Sequence, residues 1–294
     1  MGNTVLRSVV LMSWCAILGG RADMVAADDA RIREAATFYA SFDEVVTADF
    51  GVGVRTASTR ADHPTEKGRV VVEPGFDARV FQIARDRGVH GGALQVTDVL
   101  PRRGRLFFPA EKNIAFDPQG WGGTVSLWIN TNPNTLLKTP FCDPVQITER
   151  GSNDGGLWID FPDVKPRDLR LGAFPAAAKG EKPMQESDPA APLVWLKEVG
   201  FQAGEWHHLA ITWRNFDTGK KNAQAILYVD GRRIGDLHDR DLAMRWNVAK
   251  TGIYVAINFI GLLDEFALFQ RPLDAEEIVR LHAEPGLLAA LKTK

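Results

Sequence analysis

The 294-residue chain carries 35 Lys and Arg against 37 Asp and Glu, a formal net charge of −2, and its pI is near 6.3. That balance, with no clustered basic run, argues against a nucleic acid or an anionic membrane as partner. The length suits one large all-β domain with a substantial core.

In chain order, the first 27 residues read as a secretory signal peptide: Arg7 supplies a positive start, Val9 to Leu18 an apolar stretch, and Val25-Ala26-Ala27 a small-residue cleavage site. The apolar stretch is too short to span a bilayer, and Trp14 before Cys15 does not suit lipoprotein processing. Cleavage after Ala27 is therefore expected, with export to the periplasm or the exterior and no integral membrane segment in the product. Cys142 is then the only cysteine, so no intramolecular disulfide can form.

Residues 28–36 read as a short exposed leader. Alternating segments bounded by Gly, Pro, Asn and Asp follow, at Phe38–Phe42, Gly92–Val96, Arg105–Phe108, Gly123–Ile129, Leu157–Phe161, Glu205–Trp213, Ala225–Val229 and Gly261–Phe269. This pattern predicts a two-sheet antiparallel sandwich. A Pro-rich stretch, 162–192, reads as one long loop. Asp230-Gly231 is the dipeptide of a type I′ hairpin turn. In Leu262–Phe269, strict alternation would place Asp264 and Glu265 on opposite faces. Arg271-Pro272 ends that strand, and Asp274 with Glu277 forms the capping box of a short helix. Residues 285–294 read as a helical tail.

Four segments together carry a resemblance: Gly123-Thr124-Val125-Ser126-Leu127-Trp128-Ile129, Trp206-His207-His208-Leu209-Ala210-Ile211-Thr212, Leu227-Tyr228-Val229-Asp230-Gly231, and Leu263-Asp264-Glu265-Phe266 followed by Pro272-Leu273 and Glu277-Ile278. In this order they resemble the LamG-like jelly-roll domains of the concanavalin A-like lectin/glucanase superfamily, over residues 37–284. The resemblance implies an all-β jelly roll with a short C-terminal helix, in secreted bacterial proteins that commonly handle glycans and often hold a structural calcium. It implies no particular activity.

No enzyme motif is visible. A retaining glycosidase needs two carboxyls about 5 Å apart, and the Glu-x-Asp-x-Glu pattern of the resembled hydrolases is missing. Asp239 and Asp241 have a shared-face spacing in a segment that reads as a solvated loop. His207 and His208 point to opposite sides of a strand and cannot share a metal. Cys142, in a Pro-rich turn, reads as an inert thiol.

Binding is better motivated. Asp43 and Asp264 lie at the two chain ends, which jelly rolls bring side by side, and offer hard oxygen ligands for Ca²⁺. The alternative is that both accept bonds from neighbouring backbone or arginine. Phe42-Asp43-Glu44 departs from the Phe-Asp-Gly frequent in the resembled domains. For a sugar ligand, stacking faces are expected from Trp121, Trp158, Trp195 and Trp246, while Trp128, Trp206 and Trp213 are expected to be core. The sequence thus predicts an exported, non-enzymatic module for glycans or a cell-surface ligand. The alternatives are a polysaccharide hydrolase or lyase with an unrecognised site, and a structural or protein-adhesion module.

Overall fold

A computed structural model describes residues 26–293. The expected signal peptide, apart from residues 26 and 27, lies outside the described residues. Helix α1 spans residues 26–35. The strands are β1 (Ala36–Ala40), β2 (Phe50–Gly51), β3 (Ser58–Asp62), β4 (Val70–Pro74), β5 (Phe81–Ala84), β6 (Ala93–Val96), β7 (Arg105–Pro109), β8 (Trp121–Asn130), β9 (Cys142–Gly151), β10 (Asp154–Phe161), β11 (Leu169–Phe174), β12 (Leu193–Leu196), β13 (His207–Phe216), β14 (Ala223–Val229), β15 (Arg232–Arg240), β16 (Gly252–Ile257) and β17 (Gly261–Phe269), followed by helix α2 (Ala275–Ala283) and a 3-10 segment, Pro285–Thr293.

The strands form two antiparallel sheets, as the alternation predicts. The first runs β15-β14-β13-β8-β17-β1-β2, with β6 and β5 branching from β17, and the second runs β12-β11-β10-β9-β16-β7-β3-β4. Between them lies the main core. On β13, Leu209, Ile211 and Trp213 enter it, and on β10 Leu157, Ile159 and Phe161 meet them from the other sheet. Each such apolar side chain contributes about 1.5–3 kcal/mol relative to exposure. The β14–β15 hairpin turns at Asp230 and Gly231 with φ of 50° and 73°, the left-handed pair a type I′ turn needs. Asp274 and Glu277 close the expected capping box on α2.

Three expectations are corrected. Residues 28–36 are not an exposed leader, because most of them are helical and docked. Ile32 and Ala35, one turn apart, are buried against the outer side of the first sheet, and Asp29 pairs with Arg280 at 2.7 and 2.9 Å. The Pro-rich stretch 162–192 is not one loop. It contains β11, whose Leu169, Leu171 and Ala173 are core and which pairs with both β10 and β12. The third concerns β17. Leu263, Phe266 and Leu268 all enter the main core, whereas Ala267 and Phe269 join the cluster beneath the helices. A bulge between Asp264 and Ala267, with Glu265 at φ 50°, inserts the extra residue that breaks the alternation.

Candidate functional site

The outer faces of the two sheets differ sharply. That of the first is sealed by α1, α2 and the 3-10 segment, with Ile278, Leu281, Leu287, Leu288 and Leu291 packed over Tyr39, Ala210 and Phe269. Among the described residues, none of these helices is long and apolar enough to cross a membrane.

The outer face of the second sheet is polar and aromatic. On β11, the residues between the core positions are Arg170 and Gly172; on β10 they are Trp158 and Asp160. Arg170 grips Asp160 through a two-pronged contact of 2.8 and 2.5 Å and reaches Glu186 of the following loop at 2.8 Å. Its guanidinium lies 4.9 Å from the Trp195 ring centre, 5.1 Å from that of Trp158 and 5.8 Å from that of Phe141. Asp143, one strand over, is buried beside Asp160. Burial, and then the Asp160 charge, push the Asp143 carboxyl well above its ordinary range. Burial likewise pushes Asp160 up to about 6, against the opposing pull of Arg170. These carboxyls come from different strands, so no sequence spacing could reveal them.

The four candidate tryptophans separate. Trp195 is 39% exposed, and Phe141, which also lies near the Arg170 guanidinium, is 47% exposed. Trp121, Trp158 and Trp246 are buried, so the expectation that they present stacking faces is corrected. Trp121 meets Trp213, Phe216 and Trp246 at one end of the main core, where its indole N–H donates to Asp217 at 2.8 Å. The Trp246 N–H donates to the Gly155 carbonyl at 2.7 Å. Trp158 lies flat over Gly172, where an added Cβ would meet its ring at 2.2 Å. Trp128 and Trp213 are buried, as expected for core residues.

Asp43 and Asp264 do come together, beneath the loop 88–92. The Gly92 N–H donates to Asp43 Oδ1 at 2.7 Å, and the His90 N–H to Asp264 Oδ2 at 3.2 Å. Glycine is required here by contact: a Cβ on Gly91 would lie 2.2 Å from Asp43 Oδ1, and one on Gly88 would lie 2.5 Å from Asp264 Oδ2. Phe42 takes the left-handed conformation, with φ 56°, so the turn forms without a glycine at position 44. Lys292 Nζ, from the 3-10 segment, pairs with Asp43 Oδ2.

Burial pushes the fully enclosed Asp264 carboxyl up to about 8. Burial, then the charge on Asp264, push Glu265 up to about 9, where the Tyr39 hydroxyl donates to it at 2.8 Å. A buried carboxyl this high lacks a sufficient counter-charge, and hard carboxylate oxygens suit a hard cation. All four oxygens already accept a donor, however, those of Asp43 from Gly92 and Lys292 and those of Asp264 from His90 and Glu265. The backbone-bonded alternative is the arrangement present, and a cation would share or displace these donors. No group of three or more His, Cys, Asp or Glu suited to a metal occurs among the described residues, so further ligands would be backbone carbonyls or water.

His208 is fully buried, bonded through Nε2 to Ser126 Oγ at 2.8 Å, and burial, then the His282 charge, push it down to about 3. His207 stacks on Phe201 and bonds Asp230 at 2.9 Å. Burial pushes the Cys142 thiol up. Asp239 lies on the exposed end of β15 rather than in a loop, with its side chain 89% exposed.

Two stacked antiparallel sheets, one face sealed by helices and the other polar and aromatic, define a jelly-roll sandwich of the lectin type. The chain belongs to the concanavalin A-like lectin/glucanases superfamily, whose Laminin_G_3 family model matches residues 108–279. No curated protein matches the sequence. Similar solved structures include a botulinum neurotoxin type C structure whose cell entry depends on interaction with two ganglioside molecules (15% identity, TM-score 0.55, covering 87% of this chain and 52% of that one). Another is the binding domain of botulinum neurotoxin DC in complex with rat synaptotagmin II (12% identity, TM-score 0.54, 86% and 52%). A third is domain 4 of an extracellular arabinanase from Geobacillus stearothermophilus in complex with arabinotriose (15% identity, TM-score 0.47, 84% and 98%). The chain spans about half the length of those neurotoxin chains, and at these identities the likeness shows the fold alone.

Proposed function

We propose that the protein is an exported glycan-binding module that uses the outer face of its second sheet. The observation that carries this is the pairing of exposed Trp195 and Phe141 with the ordered Arg170, Asp160 and Glu186 network. Aromatic faces stack on the apolar faces of sugar rings, and fixed polar groups bond hydroxyls. Lys197 Nζ rests 3.8 Å from the Trp195 ring centre. Its side chain is 65% exposed but also pairs with the buried Asp168 at 2.9 Å, so a sugar that displaces it gives up about 0.5–1 kcal/mol of cation–π contact together with that ion pair. The dependence of botulinum neurotoxin type C cell entry on two ganglioside molecules, in a protein that shares this fold, agrees with this reading. On a glycan array, the wild-type protein binds a subset of oligosaccharides, and Trp195→Ala weakens them about tenfold or more while Trp246→Ala, at a buried position, lowers stability by about 3–5 kcal/mol instead. Array binding that is unaffected by Trp195→Ala would overturn the assignment of this face.

Calcium is the second part of the proposal. Asp43 and Asp264 would hold it, supplying charge that fixes loop 88–92 against β17, and Lys292 would yield its place on Asp43. Titrating EDTA-treated protein with calcium should raise its melting temperature, and Lys292→Gln, by removing the competing ammonium, should tighten calcium binding by about tenfold. An absence of heat and of melting shift in both proteins would end this part.

A hydrolase reading is favoured by one feature, the neighbouring Asp143 and Asp160 with raised carboxyls. Turnover of a polysaccharide panel that is lost in Asp143→Asn would support it over binding alone.

A further inference from the structure

On the same outer face, Arg60 of β3 and Arg105 of β7 are direct cross-strand partners. Like charges set opposite one another in a sheet repel. Neither guanidinium forms an ion pair among the described residues. Arg60 Nη1 donates instead to the Tyr254 hydroxyl at 3.1 Å, and the Arg105 guanidinium lies 6.0 Å from the centre of the same ring. Both arginines and Tyr254 line a cleft of about 300 Å³ that also receives Arg103 and Arg150. These last two are already matched, Arg103 by Asp62 at 2.6 Å and Arg150 by Asp154 at 3.4 Å. Glu149, which shares the cleft, accepts a bond from the Asn247 N–H at 2.8 Å. The cleft therefore gathers four guanidiniums against the carboxylates of Asp62 and Glu149, an excess of positive charge in which Arg60 and Arg105 are the two cations without an ion pair of their own, beside the backbone and hydroxyls of Thr148 and Ser152. The charge of Arg105 also reaches the buried Asp143 carboxyl.

We infer that this cleft binds the carboxylate or sulfate of an acidic polysaccharide, the Arg60 and Arg105 guanidiniums closing on one anionic group. Planar guanidiniums bind such oxyanions with paired N–H bonds. An anion between them would also relieve the repulsion that the register imposes. In the second sheet, β7 is five strand steps from the β12 strand that carries Trp195, or about 24 Å at the usual strand spacing. A ligand touching both is an oligosaccharide rather than a single sugar. This inference rests on the glycan-binding reading and names the ligand class for that face.

The test is calorimetric titration of wild type, Arg60→Gln, Arg105→Gln and Trp195→Ala with oligogalacturonate, a heparin-derived hexasaccharide and a neutral galactan oligomer of matched length. The expected result is that at least one acidic oligosaccharide binds tenfold or more tighter than the neutral one. Each Arg→Gln change should remove at least tenfold of that affinity and leave neutral binding unchanged. The Arg→Gln proteins should melt no lower than wild type, since the substitution relieves a repulsion, and acidic binding to wild type should weaken between 50 and 500 mM salt, a range about one decade wide. Neutral and acidic oligomers bound equally, with no effect of the arginine changes, would overturn this inference and leave the glycan reading standing. Binding of no oligosaccharide at all would overturn both. Competition by an equal concentration of inorganic sulfate, or equal binding of a short DNA duplex, would also overturn it, marking a free-anion site or a nonspecific polyanion surface.

Discussion

Arg170→Ala lowers stability by about 3–5 kcal/mol, because it leaves the buried Asp160 carboxyl without its partner. Arg170 and Asp160 are 3% and 4% exposed at their side chains, and the same change strips Glu186 of its contact and removes the cation between three aromatic rings. For a domain of this size the loss corresponds to a fall of roughly 10 °C in melting temperature. Arg170→Lys keeps the charge but not the two-pronged geometry, and should fall between wild type and Arg170→Ala. Replacing both partners with apolar residues, Arg170→Met with Asp160→Leu, should cost less than Arg170→Ala alone, since no charge is then stranded. Urea unfolding measures all three. A loss below about 1 kcal/mol for Arg170→Ala, typical of exposed pairs, would mean that the network is solvated and does not order the face where Trp195 sits.

In EDTA the protein is most stable on the acid side of neutrality and loses stability as pH rises toward 9. The sign follows from Asp264 and Glu265, which ionise near 8 and 9 in the folded chain but near about 3.9 and 4.3 when unfolded. Between those limits the folded state holds protons that the unfolded state has released, so stability falls by about 1.4 kcal/mol per pH unit for each proton. Their contribution is fully present below pH ~4 and gone above the folded values. Asp160, at about 6 in the fold, adds to the loss only over the lower part of this range. His208 acts in the opposite direction. It titrates near 3 when folded and about 6.5 when unfolded, so the unfolded state alone takes up its proton as pH drops below about 6.5. Above that value only the carboxyls act, and the melting temperature should decline steadily. Asp264→Asn should flatten the decline by about one proton, and saturating calcium should flatten it similarly by holding Asp264 ionised. A melting temperature that rises from pH 6 to 9 in EDTA would contradict the burial of these two carboxyls.

Features set by neighbouring residues were legible in the sequence. The Asp230-Gly231 turn and the Asp274 and Glu277 cap depend on contacts within a few positions, and both form as read. The approach of Asp43 to Asp264 was legible because it follows from jelly-roll topology. What escaped depends on contacts between strands distant in the chain. β11 is hidden by Pro166 and Pro175 at its flanks and by Arg170 and Gly172, which read as polar until the face they occupy is known. Trp121, set between glycines, and Trp246, set between Arg245 and Asn247, pack against each other across 125 positions of sequence. The bulge at Glu265 shifts the phase of β17, so that Leu263 rather than Leu262 faces the main core with Phe266 and Leu268, which alternation alone cannot signal. The pairing of Arg60 with Arg105, and the proximity of Asp143 and Asp160, exist only once register is set.

The central claim, that ligands dock on the outer face of the second sheet, is tested most directly by hydrogen–deuterium exchange with and without the oligosaccharide that binds best in the calorimetric panel. The account predicts slowed exchange in β11 and β12 beside Trp195 and in β3, β7 and β16 around the arginine cleft, with the helix-covered face unchanged. Protection confined to loop 88–92 or to the helices, with β12 and β7 unaffected, would contradict it.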